Sequence, residues 1–288
     1  MRRAMTSAVH LRNASAGEVA AILREPSPPA EVLDARLRSA LSTRLRAILP
    51  RRGGPRHRID GYVVEKGAPS FTGPFLWNAR AARRVLGTPA ARAVASGVAG
   101  DPLTAAASEV DRLATRSVRP GARPGGLALW LASAPEVVRS LCALEAAGWA
   151  TSLLGCVETS SPLGSVAVGI PDAWFEVPGA PVTLHGRRDA AVGAPSGADC
   201  RLSLLRLRDG LPGPRAVEGL ALDGLVDALS APERPLPARV VGVWPDAGVT
   251  LVVAFDGDVA RAAAREVLVA AERLARPLQT LDSVPEAA

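Results

Sequence analysis

The chain has 288 residues, 48% of them apolar and 22% charged, with a formal net charge of +6. That is ample for one large or two small domains with their own cores, and the balance excludes a disordered chain. No apolar run approaches the roughly 20 residues of a membrane helix, and the basic start MRRAMTSAVHLRN has no apolar segment of the kind a secretory signal needs. No membrane association is expected.

Cys142, Cys156 and Cys200 show no metal-like spacing, and an odd count argues against a disulfide framework, so the chain reads as a cytoplasmic protein. His10, His57 and His185 lie far apart, and there is no Gly-x-Gly-x-x-Gly, P-loop or Gly-x-Ser-x-Gly element. Neither metal nor cofactor is expected. One lysine, Lys66, stands among 34 basic residues. With abundant Ala, Gly, Pro and Val, that skew fits a GC-rich bacterial genome, so arginine abundance alone says little about function. Placement says more. Residues 1–60 hold twelve arginines against five acids, leaving the other 228 residues about one charge negative.

In chain order, Ser15-x-x-Glu18 is a capping box that predicts a helix over about 16–24. A second helix is expected from about Ala30 to before Pro50, with Leu33, Leu37, Leu41, Leu45 and Ile48 at helical spacing. Arg36, Arg38, Arg44 and Arg46 sit among them, and Arg51, Arg52, Arg56 and Arg58 follow in PRRGGPRHR. These eight arginines, with no acid between 36 and 58, read either as a phosphate-contacting stretch or as a solvated helix face and basic loop. RIDGYVVEK (58–66) reads as a linker. Helices are expected at 73–87, 89–96 (opened by Thr88-Pro89, stopped by Gly97) and 102–116 (opened by Asp101-Pro102). RPGARPGG (119–126) reads as an interdomain linker. The expected domains are therefore a helical region over 1–120 and an α/β domain over 127–288.

Ser133-x-x-Glu136 predicts another capping box, opening a helix to about 154 with Val137, Leu141, Leu144 and Trp149 as its apolar side. Strands are expected at 173–177, 181–192 and 200–207, a helix at 216–229, strands at 238–244 and 249–255, and a last helix over 259–275 capped by Asp258. The order from 134 onward is α-β-β-β-α-β-β-α, a mixed sheet flanked by helices.

That order, with HGRRDAAVG (185–193) on the second strand and RLRDG (206–210) after the third, resembles the PD-(D/E)XK nuclease superfamily, in particular its RecB-type exonuclease module. The resemblance covers about 134–275. It implies that Asp189 occupies the metal-ligand position, that Arg206 replaces the second acid, that Arg208 replaces the lysine, and that Gly210 keeps the closing glycine. Such nucleases need at least two carboxylates for a hard cation, and a guanidinium neither coordinates a metal nor acts as a base. The implied centre is degenerate: no catalytic residue and no metal. The acids Asp172, Glu176 and Asp189 offer a weaker alternative metal set. The expectation is a catalytically inactive nuclease-like protein that binds DNA or RNA or supports a nucleic-acid-handling complex. The alternative is a protein-interaction scaffold in a larger bacterial assembly.

Overall fold

Internal contacts divide the chain into two units. One comprises Met1–Ala14, Leu23–Phe71 and Pro171–Ala288; the other comprises Ser15–Ile22 and Thr72–Ile170. The computed structural model describes residues 8–12, 14–25, 31–49, 56–66, 77–116, 126–157, 165–193 and 201–281. The protein is mixed α/β. The first 120 residues are not all helical: Ala8–Arg12 is strand β1 and His57–Asp60 is strand β2. The 119–125 stretch of the expected linker lies outside the described residues.

Helix α1 (Ala16–Arg24) starts on the capping box: Ser15 Oγ accepts the Glu18 N–H at 3.2 Å, and Glu18 Oε2 accepts the Ser15 N–H at 2.6 Å. Hydrogen bonding to the Ser15 backbone N–H and to the Ser15 side chain holds the Glu18 carboxyl below its ordinary pKa. Helix α2 (Ala35–Ile48) begins later than expected because Asp34, not Ala30, caps it through the Arg36 N–H at 2.8 Å. Its Leu41 and Leu45 are buried, and α2 packs on the long last helix, α9 (Gly257–Leu281). The expected linker at 58–66 is β2 followed by helix α3 (Gly61–Lys66), whose Val63 and Val64 are buried. Asp60 closes the strand and starts the helix, its Oδ1 accepting the Val63 N–H at 3.1 Å.

In the second unit, the helices expected at 73–87 and 89–96 are one helix, α4 (Ala79–Ala95), capped by Asn78 and carrying Pro89 inside. An internal proline costs about 3 kcal/mol. Packing outweighs it: α4 lies so close to helix α7 (Glu136–Val157) that a Cβ on Gly87 would fall 2.5 Å from the Ala146 carbonyl oxygen. Gly97, at φ +72°, stops α4; the Val98 N–H reaches the Ala93 carbonyl and the Gly97 N–H reaches that of Val94. Helix α5 (Pro102–Arg116) is capped by Asp101 as expected, its Oδ1 accepting the Leu103 and Thr104 N–H groups.

Helix α6 (Gly126–Ser133) was not signalled by the sequence pattern, and it cancels the second capping box. The Ser133 hydroxyl donates back to the Leu129 and Trp130 carbonyls instead of capping α7. The buried side of α7 is Cys142, Ala146, Trp149, Ala150 and Leu153. Three of the four residues expected there are exposed: Val137 (75%), Leu141 (51%) and Leu144 (58%). Contrary to the composition-based reading, α7 is long and apolar enough to cross a membrane by length and composition; half of its apolar window is buried within the protein. Strand β3 (Ser165–Val168) completes the described elements of this unit.

The first unit is built on two sheets. Strands β4 (Ala173–Glu176) and β5 (Val182–Gly186) pair antiparallel, and β2 joins β5 in parallel, giving the order β2-β5-β4. The strand expected at 181–192 is therefore two. After Gly186 the chain leaves this sheet and re-forms as β6 (Ala190–Gly193) beside β7 (Ser203–Leu207) in the other. There β7 pairs in parallel with β8 (Arg239–Trp244), β8 pairs antiparallel with β9 (Val249–Ala254), and β9 pairs antiparallel with β1. Helix α8 (Ala216–Ser230) packs on β4, β5 and β8, and also on α3 and α9. All of β7 and β8 is buried, as expected of strands covered on both faces. Each large side chain sealed here, such as Leu184, Leu205 or Trp244, contributes about 1.5–3 kcal/mol. Between β8 and β9 the turn is a short 3-10 stretch (Pro245–Ala247) closed by Gly248 at φ +60°. The cap of α9 is Asp256, whose Oδ1 accepts the Asp258 and Val259 N–H groups; Asp258, expected as the cap, pairs with Arg261. The helix also runs past the expected stop at Pro277.

Candidate functional site

Strand alternation turns Leu204, Arg206 and Arg208 to one side of β7 and its extension. The Arg206 guanidinium is buried and that of Arg208 is mostly so, a costly placement unless each meets a carboxylate. Each does. Arg206 Nη1 pairs with Asp223 Oδ2 on α8, side chains 6% and 1% exposed. Arg208 pairs in fork fashion with Glu65 on α3, Nη2 lying 2.7 Å from Oε2, and its guanidinium lies 5.1 Å from the centre of the Trp244 ring. Asp223 Oδ1 also accepts the Arg187 N–H at 2.9 Å. One helical turn further on, Asp227 pairs with Arg188, whose Nε donates to the Pro171 carbonyl at 2.7 Å.

Glycines make this layer possible. A Cβ on Gly219 would meet Glu65 Oε1 at 1.9 Å, one on Gly61 would meet Arg206 Nη1 at 3.0 Å, and one on Gly186 would meet Val226 Cβ at 2.9 Å. Burial pushes the Asp223 carboxyl above its ordinary pKa, against the opposing pull of Arg206, the Arg187 N–H and Arg208. Burial, helped by the charge of Arg206, lowers the Arg208 pKa against Glu65.

Asp189 is fully buried. Its Oδ2 accepts the Leu207 N–H at 2.9 Å, and its own N–H donates to the Leu205 carbonyl at 2.8 Å. The carboxylate thus stitches the start of β6 to the end of β7. Arg206 and Arg208, expected beside Asp189, pair instead with Asp223 and Glu65. The three carboxylates of the alternative set do not gather. Asp172 Oδ2 is 2.9 Å from His185 Nε2, Glu176 is an exposed partner of Arg56 at 3.9 Å, and Asp189 lies under Leu207. Among the described residues no three His, Cys, Asp or Glu side chains are grouped to hold a metal ion.

Around His185 a second polar group forms on the three-stranded sheet. Register places Asp60, His185 and Trp174 side by side on β2, β5 and β4. The rings of Trp174 and His185 stack at 3.9 Å, and Arg58 bonds Asp60 Oδ2 at 2.7 Å while lying 5.7 Å from the Trp174 ring centre. Burial raises the Asp60 pKa, but the Arg58 and Val63 hydrogen bonds, with the charges of Arg58 and Arg187, hold it below the ordinary value. Arg58 is thus neutralised, and the same sheet face carries the acids Asp172 and Glu176.

The other arginines of the 36–58 stretch divide as follows. Arg36 and Arg44 are exposed on α2 and make no ion pair among the described residues. Arg46 is also exposed, donating to the Ser42 carbonyl and the Thr43 hydroxyl of its own helix. Arg38 lies half-buried, 5.2 Å from the centre of the Phe175 ring. Arg51 and Arg52 fall outside the described residues.

The sequence reading missed Glu65, Asp223 and Asp227. The signal was present: ALDGLVDALS puts two acids four residues apart in an otherwise apolar helix, and buried acids are rare unless paired. No family model, no curated protein and no solved structure matches the chain.

Proposed function

We propose that this is a non-catalytic, nuclease-like cytoplasmic protein that binds the phosphate backbone of nucleic acid through the exposed arginines of α2. One observation carries the reading: the interior arginines Arg188, Arg206 and Arg208 each have a carboxylate, whereas Arg36, Arg44 and Arg46 face solvent with none among the described residues. Uncompensated guanidiniums on one helix attract a polyanion and release its counterions on binding. The non-catalytic part rests on the engaged state of the acids. Asp189 serves a backbone amide and Asp223 a guanidinium, so neither is free to place a metal-bound water. Cys142 and Cys156 are buried free thiols, as a reducing compartment allows.

The test is anisotropy with labelled DNA and RNA over a salt series, alongside a magnesium-dependent cleavage assay. Affinity should fall steeply with salt, vanish in the Arg36→Ala/Arg44→Ala/Arg46→Ala variant, and come without cleavage. Magnesium-dependent cleavage lost in Asp189→Ala overturns the reading.

The exposed ridge of Val137, Leu141 and Leu144 on α7 favours a second reading, a scaffold that docks another protein. It is tested by recovering a stable complex that survives nuclease treatment and is lost in Leu141→Ser/Leu144→Ser.

A further inference from the structure

We infer that the nucleic acid is double-stranded DNA, with α2 lying in its major groove and Arg44 and Arg46 reaching the phosphates on opposite walls. This rests on the nucleic-acid reading above and concerns the same face. At about 100° per residue, Arg44 stands about 80° to one side of Arg36 and Arg46 about 80° to the other. The strip between them holds Arg36 at its N-terminal end and, beyond it, Ser39, Ala40, Thr43 and Ala47, all exposed and, after Arg36, all short.

A single strand running along such a helix meets one flank only. Two rows of phosphates, one on each side, meet both. An α-helix about 10–12 Å across fits the roughly 12 Å major groove of B-DNA, and the short central strip lets the helix sink between the walls. At about 1.5 Å per residue the helix is about 21 Å long, enough to lie along the groove past several base pairs. Double-stranded RNA hides its major groove in a deep, narrow cleft that a helix cannot enter.

Base stacking, which single-strand binders use, has no counterpart on α2, whose exposed face carries no aromatic residue. Trp174, the half-exposed indole beside an arginine, stacks on His185, and the arginines nearby, Arg58 and Arg56, are already matched by Asp60 and Glu176. Beyond Arg36 the centre of the strip is alanine and threonine, so Arg36 is the one long side chain there placed to reach a base edge, and binding depends little on sequence along the rest of the helix.

The experiment compares three labelled probes by anisotropy at low salt: a mixed-sequence DNA duplex, one of its separated strands, and an RNA duplex of the same sequence. The DNA duplex should bind at least about tenfold more tightly than either. Arg44→Ala and Arg46→Ala should each reduce the slope of log affinity against log salt by about 0.9, one phosphate contact apiece. Arg116→Ala, an exposed arginine on α5, should leave it unchanged. A single strand or RNA duplex bound as tightly as the DNA duplex overturns groove insertion while leaving nucleic-acid binding in place. So does a slope altered by only one of the two variants. Failure to bind any of the three probes removes both readings.

Discussion

The layer between β7, α3 and α8 and the outer face of α2 both use arginine, to opposite ends. Inside, Arg206 and Arg208 sit in a low-dielectric setting where an unmatched charge costs several kcal/mol, so each has a fixed acid and glycines clear the space. Outside, water screens Arg36, Arg44 and Arg46, and none needs a partner. The same residue type is therefore structural where it is paired and available where it is not. Counting arginines cannot separate the two; their acids can.

The contrast can be broken most sharply at Arg206. Arg206→Ala leaves Asp223 buried and unpaired and should cost about 3–5 kcal/mol in urea unfolding. The double change Arg206→Met/Asp223→Leu should recover part of that loss, the remainder reflecting the Asp223 acceptor taken from the Arg187 N–H. Asp189→Ala comes next: it orphans the Leu207 N–H and should cost about 1–3 kcal/mol, with Asp189→Asn far milder because its amide oxygen can still accept. A small loss in Asp189→Ala would mean that the carboxylate is held for something other than the β6–β7 junction.

A pH series sharpens the comparison within the buried acids. The Asp60 pKa is depressed in the folded state, so its ionised form contributes stability above its unfolded pKa of about 3.9, lost as pH falls through the folded value. The Asp223 pKa is raised, so its contribution is present below the unfolded pKa and lost as pH rises through the folded value. Unfolding free energies from about pH 3 to 7 should therefore give wild-type-minus-variant profiles that tilt in opposite directions for Asp60→Asn and Asp223→Asn. The smallest expected effect is on the outer face. Arg36→Ala/Arg44→Ala/Arg46→Ala should change stability by no more than about 0.5 kcal/mol per site while abolishing nucleic-acid binding. A large loss of stability there would make α2 structural and dissolve the contrast.

Much was legible in the sequence because it depends on near neighbours. The Ser15–Glu18 box, the Asp101 cap, the Gly97 stop and the order of elements from β7 to α9 follow from side chains bonding to backbone a few residues away, and from periodicity. Other outcomes were decided only in three dimensions. Pro89 stays inside α4 because close packing at Gly87 outweighs a local penalty, and α7 turns Leu141 and Leu144 outward because its alanines and cysteines fit closer to α4 and α5. RIDGYVVEK becomes a strand and a helix because β5 offers β2 a parallel partner. The site divides the same way. Its arginines were visible on β7 from strand order and alternation. Their acids, Glu65 and Asp223, lie 143 and 17 residues away along the chain, and only the folded chain brings them within reach, where loss of water forces every buried charge to find its opposite.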